Sequence, residues 1–140
     1  MTERAETLLA FDYGEKHIGV AVGQTLTGTA NPLASIRVSD SSPDWDAISR
    51  IIDTWHPDAL VVGLPLNMDG SEQTVTRRAR RFGNQLLGRY RLPVHLVDER
   101  LTTREARNRL AAQGRAGDDD HPIAAQIILE SWLTEQSVRP

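Results

Sequence analysis

Apolar residues in this chain gather first into short runs and later into helical stripes. Residues 8–12 and 18–23 are apolar runs separated by the polar turn Tyr13-Gly14-Glu15-Lys16, which predicts two strands close enough to form a hairpin. A third extended segment over 29–38 alternates imperfectly and carries Asn31-Pro32, so it belongs at a sheet edge or a bulge. Ser42-Pro43 then suits a helix start, with Ser42 as the cap, Pro43 in the first turn, and Trp45, Ile48, Ile52 and Trp55 recurring every three or four residues until His56-Pro57. The continuous run ALVVGL, 59–64, fits a strand covered on both faces. It leads into GLPLNMDGS, whose stretch from Asn67 to Gly70 is turn chemistry.

From Glu72 to about Tyr90, the residues Val75, Ala79, Phe82, Leu86 and Tyr90 share one helical stripe, while Arg77, Arg80 and Arg81 point away from it. LPVHLVDER supplies a last strand that ends in acids. Thr102-Thr103-Arg104-Glu105 fits a capping box opening a helix to about Gln113. After the polar break GRAGDDDH, a final helix starts at Pro122 and buries Ile123, Ile127 and Ile128. Three strands followed by helix, strand, helix, strand and two helices predict an α/β fold: a mixed five-stranded sheet flanked by helices. At 140 residues this is one domain, 1–140, long enough to bury a core without staples.

Composition narrows the chemistry. The absence of cysteine removes disulfides, thiol catalysis and zinc-thiolate sites. The first residues lack the basic region and long apolar core of a signal peptide, and no apolar stretch approaches a membrane span, so a cytoplasmic location without membrane association is expected. The net charge is −3, but it is unevenly spread. Between Arg77 and Arg115 eleven arginines face three acids, giving that segment +8 and the remainder −11. Such asymmetry marks a face that meets an anion, or else a set of solvated helix surfaces.

Acids close two of the predicted strands, Asp12 after the first and Asp98-Glu99 after the last, and Asp118, Asp119 and Asp120 precede the final helix. Ligands collect at strand ends in such sheets. Carboxylates brought together repel unless a cation joins them, and hard oxygen ligands suit Mg²⁺ or Mn²⁺. With the arginine-rich half, this points to metal-dependent phosphodiester hydrolysis. Each acid also has a plainer use: Asp12 can cap a turn, Glu99 can pair with Arg100 or Arg104, and Asp118 to Asp120 can stabilise a helix N-terminus. His17, His56 and His95 have no metal spacing among them and read as surface or core residues.

LAFDYGEKHIGVAVGQTLTGTANPL, VVGLPLNMDGSE, VDERLTT and AAQIILESWL, in this order and over about residues 8–133, resemble the bacterial YqgF/RuvX family of Holliday-junction-resolvase-like proteins, regarded as nucleases that mature the 5′ end of 16S ribosomal RNA. The resemblance implies a ribonuclease H-like fold, a divalent metal cofactor, Mg²⁺ or Mn²⁺, and pre-16S rRNA as partner, with branched DNA and the ribosome as further partners and a monomer or homodimer as the working form. It implies that Asp12 is the first-strand metal ligand and Glu99 the acid after the last strand. The family pattern sets an aspartate three residues ahead of a small pair, and counting back from Ala124-Ala125 puts His121 there. Asp120 or Asp118 is therefore expected to replace or assist the missing aspartate, with His121 as a ligand or a proton carrier. Arg77, Arg80, Arg81 and Arg104 are expected to hold phosphates, and Asn67 and Gly70 to lie beside the metal site. Two other readings use the same residues. One is a non-catalytic nucleic-acid adaptor; the other is an actin-like ATPase, for which this chain lacks a second Asp-Gly hairpin.

Overall fold

The computed structural model describes residues 5–99, 108, 112 and 121–137. Its centre is a six-stranded sheet built from β1 (Thr7–Tyr13), β2 (His17–Gln24), β3 (Thr29–Ser39), β4 (Ser42–Pro43), β5 (Ala59–Leu64) and β6 (Val94–Asp98), in the order β4-β3-β2-β1-β5-β6. The first four strands pair antiparallel, whereas β5 joins β1 in parallel and β6 joins β5 in parallel. The sheet is mixed, as expected, with β1 inside it between a strand from its own hairpin and one that returns through a helix.

The sixth strand corrects two expectations. Asp40 and Ser41 both have positive φ (52° and 62°), the requirement of a two-residue type I′ hairpin, so the chain folds back and Ser42-Pro43 pairs with Val38 and Ser39. Ser42 is thus strand rather than helix cap. The cap of α1 (Trp45–Trp55) is Asp44, whose carboxylate accepts from the Ala47 N–H at 3.2 Å. At its other end His56 adopts the left-handed conformation ahead of Pro57 and closes the helix. In β3 the pairing jumps from Val20–Ala34 to Ala21–Pro32, leaving Leu33 as the extra residue of a bulge next to the proline.

The two faces of the sheet are filled differently. Along β2, Ile18, Val20 and Val22 turn to one side and Gly19, Ala21 and Gly23 to the other, because side chains alternate along a strand. The large set joins Leu9, Phe11, Leu60 and Val62 under α1 and α2 (Thr74–Tyr90), where Phe82 packs edge-on against Phe11 with ring centroids 5.5 Å apart. The small set forms a shallow track for α3 (His121–Ser137): a side-chain carbon at Gly23 would meet Leu129 at 2.8 Å, and one at Gly19 would overlap the His121 carbonyl. Ile128, Leu129 and Leu133 of α3 complete this second core with Leu8, Ala10 and Val61. Ile123, Ile127 and Ile128 are buried as the pattern required. No helix among the described residues is long and apolar enough to cross a membrane.

Candidate active site

Asp12 is the sixth residue of β1 and faces the α3 side with Leu8 and Ala10. Its partners on both neighbouring strands are glycines, Gly19 on β2 and Gly63 on β5. Neither supplies a side chain, and the vacated space on each flank is occupied by a different functional group. The backbone of His121, at the start of α3, fills the Gly19 side. The Glu99 carboxyl fills the other, its Oε2 standing 2.6 Å from where a Gly63 Cβ would lie. Glu99 follows β6 directly, and its N–H continues the sheet ladder by donating to the Leu64 carbonyl at 3.2 Å. The turn after β1 contributes as well, since a side chain at Gly14 would meet the His121 ring at 2.7 Å.

Asp12 is thus met by both Glu99 and His121. Asp12 and Glu99 are each only 5% exposed. His121 Nδ1 lies 2.8 Å from Asp12 Oδ2; a neutral imidazole donating through Nδ1 keeps its lone pair on Nε2. Burial first, then the charge and hydrogen bond of Asp12, and then Asp98, push the Glu99 carboxyl up to about 10. Its Oε2 is buried without a hydrogen-bond partner. A shielded carboxyl oxygen with no protein donor, beside a second carboxylate, is a donor set suited to a hard divalent cation, which supplies the missing charge and replaces the lost hydration. Asp12 and Glu99 are the described carboxyls that could contribute to such a site, with His121 hydrogen-bonded to Asp12. Asp118, Asp119, Asp120 and Arg104 lie outside the described residues, and no cluster of three or more His, Asp or Glu side chains set for a metal occurs among the described ones.

The arginine face is divided. Arg77, Arg80 and Arg81 are exposed on α2 as the stripe predicts. Arg80 Nε pairs with Glu72 at 3.1 Å. Arg78, which the helical stripe did not single out, reaches Glu15 in the β1–β2 turn at 3.5 Å. Burial raises the pKa of Tyr13, next to Asp12, while Arg78 and Arg81 act against that rise. These two cations thus lie at the end of β1 that carries Asp12, but on the α2 face of the sheet, where Tyr13 packs, rather than the α3 face. The loop after β5 leaves that end of the sheet too, because Asp12 and Gly63 are in register in parallel strands. It is tied to itself: Asn67 N–H donates to the Ser71 carbonyl at 2.9 Å, Gly70 N–H to the Asn67 carbonyl at 2.8 Å, and Gly70 has φ 88°. His17, read from the sequence as a surface or core residue, is exposed at the start of β2, its ring centroid 6.4 Å from that of His121.

A mixed sheet with carboxyl groups gathered at the end of β1 and just past β6 is a ribonuclease H-like fold. The fold is shared with Thermus thermophilus RuvC in complex with a Holliday junction substrate (TM-score 0.56, 16% identity, 95% of this chain and 96% of that one) and with the fowlpox virus resolvase in complex with Holliday junction DNA (TM-score 0.56, 14% identity, 95% and 99%). The sequence profile of RuvX, described as Holliday junction resolvase, matches residues 6–135, and the chain belongs to that family. Relatives named "Putative pre-16S rRNA nuclease" include one from Aeromonas hydrophila, 53% identical over 137 residues (94% of this chain, 97% of the relative). Another, from Saccharophagus degradans, is 49% identical over 140 residues (97% and 99%).

Proposed function

We propose that this chain is a divalent-metal-dependent nuclease that hydrolyses RNA phosphodiester bonds in the 5′-end maturation of pre-16S rRNA, working in the cytoplasm as a single domain over 1–140. The observation that carries the reading is the buried pair Asp12 and Glu99, with one Glu99 oxygen left without a protein partner. In this reading Asp12 and Glu99 hold Mg²⁺ or Mn²⁺, assisted by Asp118 or Asp120 and by His121. The ion, when bound, supplies Lewis acidity and a water nucleophile at neutral pH. Asp12 also orients the His121 ring, which holds or moves a proton close to the scissile bond. Arg77, Arg80, Arg81 and Arg104 grip phosphates, with Arg78 beside them on α2, and the Asn67–Gly70 loop offers backbone N–H groups at the same edge. The names of the relatives support rRNA as substrate and the ribosome as its setting.

The test is cleavage of an RNA carrying the precursor 5′ segment of 16S rRNA, and of a four-way DNA junction, in Mg²⁺ or Mn²⁺. Metal-dependent cutting of the RNA is expected, and Asp12→Asn should lower it by about 1,000-fold, equivalent to ~4 kcal/mol of transition-state stabilisation, with folding intact. Junction cutting without RNA cutting would make the chain a resolvase. Binding with no cutting in either ion would make it an adaptor.

A further inference from the structure

We propose that Gly63 is a positioning residue, whose missing side chain sets where the Glu99 carboxyl stands against Asp12 and thereby how tightly a divalent ion is held; this rests on the metal-dependent reading above. A Cβ at residue 63 would lie 2.6 Å from Glu99 Oε2 and 2.8 Å from Glu99 Cδ, well inside contact distance. It would also lie 2.5 Å from the Ile128 Cδ1 of α3. These are ends of side chains rather than backbone, so an alanine at 63 is accommodated by movement of Ile128 Cδ1 and of the Glu99 carboxyl. Glu99 is 5% exposed and its N–H is fixed to Leu64, so the backbone cannot follow. Gly63 is also the β5 residue in register with Asp12, which makes the gap it leaves the one that separates the two carboxyl groups. φ of Gly63 is not in the left-handed region, and the backbone there does not itself require glycine. What requires it is the volume taken by Glu99 and Ile128.

The experiment separates the two neighbours. Ile128→Val removes Cδ1 and with it the contact to α3, leaving Glu99 as the one group that an alanine at 63 displaces. Mn²⁺ affinity is measured by calorimetry for Ile128→Val, Gly63→Ala/Ile128→Val, Glu99→Asp/Ile128→Val and the triple variant, with thermal unfolding of each in chelator. Gly63→Ala should weaken Mn²⁺ binding by about tenfold or more when residue 99 is Glu, the scale at which metals respond to the groups that orient their ligands. With the shorter Asp at 99 the same change should alter affinity by less than about twofold, and the unfolding penalty of Gly63→Ala should shrink, because contacting residues are coupled. Additive effects at 63 and 99 in both measurements would overturn the proposal and leave Gly63 as packing against α3. If Gly63→Ala/Ile128→Val is too unstable for calorimetry, the unfolding cycle decides by the same criterion. Failure of the wild-type chain to bind Mn²⁺ or Mg²⁺ at all, with Glu99→Gln indistinguishable from it, would instead sink the metal-dependent reading itself, and this proposal with it.

Discussion

The imidazole of His121 is hydrogen-bonded to the Asp12 carboxylate, Nδ1 to Oδ2 at 2.8 Å, so the first residue of α3 is fastened to the end of β1. A group that can be neutral therefore stands against Asp12 at the start of α3. An acid in its place would add a fixed negative charge beside Asp12, and in the proposed metal site His121 would offer a softer nitrogen donor than the carboxyl oxygens.

His121→Asp should accordingly shift the metal preference. Nuclease activity in Mg²⁺ should rise by about tenfold relative to that in Mn²⁺, since an oxygen donor replaces nitrogen. The metal-free variant should melt lower than wild type because a third carboxylate is placed against Asp12 and Glu99. Parallel titrations of Mg²⁺ and Mn²⁺ read the first effect, and melting in chelator the second. An unchanged ratio would exclude residue 121 from the metal site.

The Glu99 carboxyl gives the metal-free protein a pH signature. Its folded value, about 10, lies above the ordinary 4.5, so between these values the unfolded chain releases a proton that the folded chain retains. Stability is therefore greatest below the ordinary value and falls as pH rises through the window. Glu99→Gln, which imitates the protonated acid, should flatten that decline while abolishing metal-supported cleavage. Divalent ions should reverse the trend, because binding requires the ionised carboxylate and displaces its proton. Urea unfolding at several pH values, with and without Mn²⁺, measures all three.

Substrate binding should weaken with salt, with a log–log slope close to one per phosphate contact. Arg77→Ala and Arg81→Ala should each reduce the slope by about 0.7, the single-strand value. Arg78→Ala and Arg80→Ala should do less, because Glu15 and Glu72 already engage those side chains. Affinity independent of salt between 50 mM and 200 mM, about the range over which phosphate contacts are felt, would make α2 an ordinary solvated surface.

Gly70→Ala should lower stability by about 1 to 2 kcal/mol, because φ of 88° suits glycine and strains an L side chain. A thermal scan reads this directly as a drop of a few degrees. An unshifted melting temperature would mean the turn relaxes to another conformation at no cost.

Periodicity revealed most of the fold. Apolar runs ending at Asp12 and Leu64, and the stripe Ala79, Phe82 and Leu86, correspond to β1, β5 and α2 because each buries a continuous apolar set. The two-residue strand β4 was hidden, since Asp40-Ser41 is not a usual pair for a type I′ turn and Ser-Pro before an amphipathic run resembles a helix start. Asp12, Glu99 and His121 could be singled out as chemistry-bearing residues. What could not be read was the cross-strand register that sets Gly19 and Gly63 beside Asp12. That register depends on partners distant in the chain, and alternating small and large residues in IGVAVG look like one apolar run until the strand has two faces.

Asp12 and His121 meet across 109 positions, and the strand carrying Glu99 reaches β1 only through β5. The site consequently has no partial form. A chain emerging from the ribosome displays Asp12 early, but the constellation forms only after α3 has been synthesised and has settled into the glycine track of β2. On the function proposed above, cleavage would thus report on completed folding: any lesion that keeps α3 off the sheet should silence it.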